Sequence, residues 1–207
     1  MPHRVLEWLR VRFRVRRYER LLRLLQTDHA SGLVLDLGGG PASFFSARYP
    51  EPWRVILVDR EYGLTRQAKA RIPDLKLVVA DGECLPFAQG SIGITVCNSV
   101  IEHVEDTAAF AREVRRVSDG YFVQTPNGRF PVELHAPVPI PIYRWILWPA
   151  GRRLLCRMFG GDFDYVESVH YLTEDELARL FPDAEILRER FLGLTKSFYV
   201  IHPPSAW

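Results

Sequence analysis

The chain lacks any run of about 20 apolar residues, the length a membrane-spanning helix needs. Its most apolar stretch, IPIYRWILWPAGRRLLCRMF, is interrupted by Arg144, Pro149, Arg152 and Arg153. Cysteine is scarce: Cys84, Cys97 and Cys156 are widely spaced, with no C-x-x-C pair of the metal-binding kind. A disulfide framework is therefore not expected, and a reducing compartment is the simpler reading. Net charge is only +2, so overall charge does not mark the protein as a polyanion binder. Charged residues rather than an apolar core follow Met1, which speaks against a secretory leader and for a cytoplasmic location.

What is present is enough for one full hydrophobic core: 207 residues, 47% of them hydrophobic and 25% charged. Charge is unevenly spread. Arg4, Arg10, Arg12, Arg14, Arg16, Arg17, Arg20 and Arg23 crowd the N-terminal segment, against Glu7 and Glu19. Such a bias points to nucleic acid, to anionic lipid, or to a solvated helix face. Trp8, Val11, Val15, Tyr18, Leu22 and Leu25 alternate at spacings of three and four, which predicts one apolar helical stripe. The segment VRFRVR also alternates with period two, but the length of the longer pattern favours helix. Residues 1–30 are expected to form a basic amphipathic helix, a lid or a surface contact, and 31–207 the main domain.

From Leu33 onward, near-continuous apolar strands alternate with helical patterns. The strands are LVLDL (33–37), RVILVD (54–59), LKLVVA (75–80), IGITVCN (92–98) and GYFVQT (120–125). Helices are predicted at 42–49, at 64–71 and at 106–117, the last with Phe110, Val114 and Val117 on one face. This alternation implies a parallel sheet covered on both sides. Residues 129–168 break the rhythm with prolines and aromatics, including Ile140, Ile142, Tyr143, Trp145 and Trp148, and read as an insertion over the sheet's active edge, helical around 143–159. Thr173 and Glu176 form a capping box for a short helix through Phe181. Residues 184–191 and 197–202, joined through Gly193, read as a final antiparallel pair.

The segment LVLDLGGGPASFF puts three glycines directly after a buried strand. Bare backbone there lets something approach closely. The dinucleotide pattern G-x-G-x-x-G fails because Ser43 stands at its last position. A P-loop fails because no lysine follows Gly40. Asp36, Gly38 and Gly40 fit a third pattern, Asp/Glu-x-Gly-x-Gly-x-Gly, with Ala42 in place of the last glycine. This resembles motif I of the class I S-adenosylmethionine-dependent methyltransferases. The resemblance continues through ADGECLPFAQGSIGITVCNSVIEHVED and YFVQTPN, in the order of the later motifs of the type-11 subgroup, and covers roughly residues 30–130. It implies a Rossmann-like three-layer sandwich, α/β, with a seven-stranded mostly parallel sheet and an antiparallel last strand.

The resemblance also implies site residues. Asp36, Gly38, Gly39 and Gly40 would lie against the cofactor, and Asp59, beside Arg60, would accept the ribose hydroxyls. Asp81 would accept the adenine amino group, with Gly82 and Glu83 beside the ring, and Asn98 would sit near the methionine moiety. The implied reaction is methyl transfer by in-line displacement, in which placement does much of the work. A hydroxyl acceptor would call for a base. His135, in the insertion, is the preferred base; His103, after strand four, is the second, and His170 a third. Glu102 with His103 begins a divalent-metal site, but no complete ligand set is present and no metal is expected. Cys97 is expected to be inert packing.

The expected acceptor is a small molecule, a saccharide or a lipid-linked intermediate. Residues 4–25 and 140–159 offer a peripheral membrane contact. An RNA methyltransferase and a non-catalytic scaffold are the alternatives. The apolar insertion and the QTPN exit argue against nucleic acid, and the intact acids argue against the scaffold.

Overall fold

The structure, a computed structural model, describes residues 2–27, 32–131, 146, 148–160 and 163–205. It opens with a long helix, α1 (Pro2–Thr27). The alternating part follows: β1 (Val34–Leu37), β2 (Val55–Asp59), α2 (Tyr62–Arg71), β3 (Lys76–Val79), β4 (Ile92–Asn98), α3 (Thr107–Val117) and β5 (Ser118–Pro126). Three further helices, α4 (Pro149–Phe159), α5 (Phe163–Ser168) and α6 (Glu174–Leu180), precede the hairpin β6 (Glu185–Phe191) and β7 (Leu194–His202).

The strands form one seven-stranded sheet in the order β3-β2-β1-β4-β5-β7-β6. Every neighbouring pair from β3 to β5 is parallel, and β7 runs antiparallel to both β5 and β6. The fold class expected from the sequence is therefore the one observed. β1 lies between β2 and β4, so the strand order reverses there. A crevice opens at such a switch point, outside the carboxyl ends of the strands.

Period-two alternation divides each strand's side chains between two cores. Leu35, Leu37, Cys97, Val123 and Val200 face α3 and α6 through Phe110, Val114, Val117 and Leu177. Val34, Leu57, Val96, Phe122 and Tyr199 face the other way, against Leu21 of α1 and Ala68 of α2. Both faces are covered, which is why the strands are apolar throughout. Phe110 is fully buried, and truncating such a ring costs about 3–5 kcal/mol. The helices behind it start where the sequence says. Asp106 caps α3 by accepting from the Ala108 and Ala109 amides at 2.9 and 2.8 Å, and the Thr173–Glu176 box opens α6.

Two expectations fail. Residues 42–49 do not form a helix; a single 3-10 turn, Gly40–Ala42, leads into consecutive turns. The cause is local. Asp36 is 4% exposed, and the hydroxyls of Ser43 and Ser46 both bond its carboxylate, which wraps the segment around the acid instead of letting it wind. Pro50 then restricts Tyr49. The buried stripe of α1 is also displaced. Val11 and Val15 are exposed, whereas Phe13, Arg17 and Leu21 are buried. An arginine in the middle of the buried row hides that row from an apolar count.

Candidate active site

The glycine turn sits at the carboxyl end of β1, and the structure separates its three residues by what each must avoid. Gly38 has φ +70°, and a Cβ there would collide with Val100. A side chain on Gly39 would strike the Asp36 carboxylate. Gly40 has φ +62° and meets nothing within 4 Å. Two glycines are thus required by the protein's own packing, and the third alone leaves bare backbone facing open space.

Burial pushes the Asp36 carboxyl upward, while the two serine hydroxyls and the Ser46 amide resist that shift. Asp59, at the end of β2, is half-buried and held on both oxygens: the Gly40 amide donates to Oδ2 at 3.2 Å and the Glu61 amide to Oδ1 at 3.0 Å. A carboxylate offers about four lone-pair positions, so capacity remains for two hydroxyl donors. Arg60 beside it is exposed. Asp81, after β3, is exposed and accepts from the Glu83 amide at 2.9 Å. Glu113 and Arg116 of α3 hold the following loop, accepting from the Leu85 amide and donating to the Leu85 and Phe87 carbonyls.

Other expected residues turn out to have structural work. A Cβ on Gly82 would meet the Phe110 ring. Glu83 Oε1 accepts from the Glu105 and Asp106 amides at 2.8 and 3.1 Å, which ties the loop before α3 to the loop after β3. Glu102 is 1% exposed and accepts from the Thr125 hydroxyl at 3.0 Å. His103 is half-buried in the 3-10 turn Ile101–His103 at the mouth of the crevice. His170 is exposed, and its amide donates to the Glu102 carbonyl at 2.7 Å. His135 lies outside the described residues, as do Ile140, Ile142, Tyr143 and Trp145. Among the described residues no group of three His, Cys, Asp or Glu is placed to hold a metal ion. Cys97 is fully buried, and burial drives its thiol well above its ordinary range.

The other half of the crevice holds a polar network that the sequence reading missed. Arg17 of α1 donates through Nη1 to Asn98 Oδ1 and to Gln124 Oε1, both at 2.8 Å. Its Nη2 lies 3.4 Å from Glu189 Oε2. Lys196 approaches the same oxygen at 3.0 Å, and the hydroxyls of Ser197 and Tyr199 complete the carboxylate's shell. Burial alone would push Glu189 upward; the charges of Arg17 and Lys196 and the two hydroxyls outweigh it and hold the carboxyl down at about 2. The Tyr199 phenol is pushed up by burial and by that same negative charge. Ser99, with φ +58°, donates its hydroxyl to Gln124 Oε1 at 2.9 Å. The Gln124 oxygen is therefore fixed by two donors, while its amide nitrogen and Arg17 Nε are buried with no hydrogen-bond partner among the described residues.

Between these halves lies a cleft of about 160 Å³, bounded by Asp36, Gly38, Gly39 and Asn98 below and by Arg14 and Tyr18 of α1 above. Ligand pockets for whole small molecules start at roughly 300 Å³, so the cleft suits one end of an extended ligand. The rest of such a ligand would run along the exposed acids at β2 and β3.

A seven-stranded sheet of this order, with a glycine turn after β1 and acids ending β2 and β3, is the fold of the class I S-adenosylmethionine-dependent methyltransferases. Residues 35–123 match the family model described as "Methyltransferase domain". Over that segment the chain is similar to the methyltransferase domains of this class, which use S-adenosylmethionine.

Among similar proteins, a demethylmenaquinone methyltransferase of Corynebacterium efficiens is 31% identical over 156 residues, which is 74% of this chain and 63% of that protein. An uncharacterized methyltransferase of Mycobacterium sp. (strain KMS) is 31% identical over 93 residues, 45% of this chain and 37% of that protein. The chain thus spans little more than a third of that relative's length. The crystal structure of the N-terminal domain of EvdMO1 with SAH bound shares the fold at a TM-score of 0.58 and 16% identity, covering 92% of this chain and 81% of that one.

The residues present fit the cofactor. An open glycine backbone, a pre-held acid with spare lone pairs and a cleft sized for one end of the molecule occur together at one sheet edge.

Proposed function

We propose that this chain transfers a methyl group from S-adenosylmethionine to a small-molecule, saccharide or lipid-linked acceptor by in-line displacement. The observation that carries the reading is the half-buried Asp59 carboxylate, held by the Gly40 amide of the one open turn position. When bound, the cofactor supplies a methyl group already activated by a positive sulfur. Asp59 accepts the ribose hydroxyls, Asp81 receives the adenine end, and the cleft beside Asn98 takes the methionine end. α1 covers that cleft with Arg14 and Tyr18 and excludes water from it.

The acceptor side lies toward Asn98 and Gln124. The buried Gln124 amide nitrogen is a donor without a partner among the described residues, and leaving such a donor unmatched costs about 1–3 kcal/mol. An acceptor bearing an oxygen relieves that cost, which favours a hydroxyl or an oxygen-rich ring over a bare hydrocarbon. A hydroxyl needs a base, and His135 of the insertion, with His103 at the mouth, serves in that role. The apolar insertion and the similarity to a demethylmenaquinone methyltransferase support a small-molecule or lipid-linked acceptor over a nucleic acid.

Calorimetric titration with S-adenosylmethionine tests the cofactor reading, and absence of heat at any accessible concentration overturns it. A screen of acceptors with labelled methyl donor then identifies the substrate. With that substrate, His135→Ala should lower turnover about 100-fold or more while leaving cofactor affinity unchanged; unchanged turnover assigns His135 to packing.

A further inference from the structure

The β6–β7 hairpin closes in two residues, Leu192 and Gly193, with φ of +49° and +81°. Positive φ at both central positions is the mark of a type I′ turn, which selects Asn-Gly or Asp-Gly. Leucine is a poor choice there: a bulky side chain in the left-handed region is strained. It is also exposed, at 86%, and Leu194 beyond the turn is exposed at 52%. The fold does not need these side chains, because neither is part of a buried core.

The hairpin tip stands at the working end of the sheet. β6 runs in the same direction as β5, so its carboxyl end points where the cofactor crevice opens. Phe191, just before the turn, packs edge-on against Phe13 of α1 at 5.4 Å. Beside this contact a groove of about 740 Å³ runs between α1 and β6. Arg16, Arg20 and Arg23 line it from the helix, and Arg188 and Arg190 from the strand. All five are exposed. Glu19 lines the same groove, and Glu174 pairs with Arg188 at 2.7 Å, so basic residues outnumber acidic ones there. Glu189 adds no free negative charge, because Arg17 and Lys196 already hold it.

We propose that this edge docks on an anionic lipid bilayer, with Leu192 and Leu194 entering the interface and the groove arginines meeting lipid phosphates. Exposed leucines at a tight turn next to several guanidinium groups match a surface that is apolar within and negative at its rim. A purely polar polyanion would use the arginines and leave the leucines unexplained. Of the two segments expected from the sequence, 4–25 and 140–159, the placement keeps the arginines of the first and replaces the second with the hairpin tip, and it orients the crevice toward the membrane. The proposal goes beyond the methyltransferase reading and does not depend on it.

The test is flotation of the whole protein with vesicles of equimolar phosphatidylglycerol and phosphatidylcholine, compared with phosphatidylcholine alone. Binding should be confined to the anionic vesicles and weaken with salt. Leu192→Asn with Leu194→Thr should lower the partition at least about tenfold, and Asn at 192 should hold or raise Tm because it suits the left-handed conformation. Arg16→Gln with Arg190→Gln, which leaves the hairpin intact, should lower it about tenfold and flatten the salt dependence. Cofactor titration of each variant should match the parent, which keeps this result separate from the methyltransferase reading. Failure of the parent to float with anionic vesicles overturns the proposal, as does undiminished flotation of the leucine variant. Self-association lost in the leucine variant, without vesicle binding, instead assigns the edge to a second copy of the chain.

Discussion

The two halves of the crevice are built differently. On the β1–β3 side, Asp36 lies within β1, Asp59 ends β2, and Gly38, Gly40 and Asp81 sit in the short segments that follow β1 and β3. Asp59 and Asp81 each have a partner two residues on, Glu61 and Glu83, and Asp59 has a second, the Gly40 amide, 19 residues away. On the other side, Arg17, Asn98, Gln124 and the Glu189–Lys196 pair come from four separate places, α1, β4, β5 and the β6–β7 hairpin, and meet in one network. The first half is open and offers spare lone pairs. The second is closed over charges that need one another. Under the proposed function, the cofactor would be served by largely local segments and the acceptor side by elements that only the finished fold brings together.

Substitutions on either side sharpen the contrast. The largest effect is expected from Arg17→Met, which leaves Glu189 with one cation fewer in a buried place. Breaking such a pair costs about 3–5 kcal/mol, measurable by denaturant unfolding, while the Asp59 side should still bind cofactor. Loss of cofactor binding in a folded Arg17→Met protein would show that the halves are not independent.

Acid should act on the same network. The Glu189 carboxyl is held at about 2 in the folded protein, against an ordinary value of 4.5. Its contribution is therefore complete above about pH 4.5 and is lost as pH falls toward 2, on the order of 3 kcal/mol. Glu189→Gln should flatten unfolding stability across that window.

Asp59→Ala addresses the other half. Removing hydrogen bonds to a charged acceptor should weaken S-adenosylmethionine binding by about 2–3 kcal/mol, roughly 30- to 150-fold, with little change in Tm. Asp81 is exposed and its carboxylate accepts from the Glu83 amide, so Asp81→Ala should cost about 1 kcal/mol, roughly fivefold in affinity. Equal affinities for both variants and the parent would remove the cofactor from this edge altogether.

The same contrast explains what the sequence made legible. The strands, the capped helices α3 and α6 and the acids after β2 and β3 are readable because each depends on neighbours within a few residues. The turn at 43–49 is not, because its winding is prevented by a buried carboxylate whose burial only the sheet creates. α1 is readable as a helix but not in its register. Arg17 looks like one more solvated arginine until Glu189 is placed beside it, 172 residues later. Gln124 stands in an apolar strand, and a polar residue there was the one available signal. Gly39 and Gly82 were read as facing the cofactor, yet the carboxylate of Asp36 and the ring of Phe110 already account for their lack of a side chain.

The separation between Arg17 and its carboxylate orders the site in time as well as in space. A ribosome delivers α1 first and the β6–β7 hairpin last, and domains form from the N-terminal side as they emerge. The cofactor edge can take shape around β1 to β4 while the chain is still being made. Arg17 of α1 can reach Asn98 and Gln124 once β5 is made, but its carboxylate partner, Glu189, arrives only with the hairpin. Biogenesis therefore forms the β1–β4 edge before the Arg17 network is complete, and a chain cut short before the β6–β7 hairpin would leave the Arg17 guanidinium without its carboxylate.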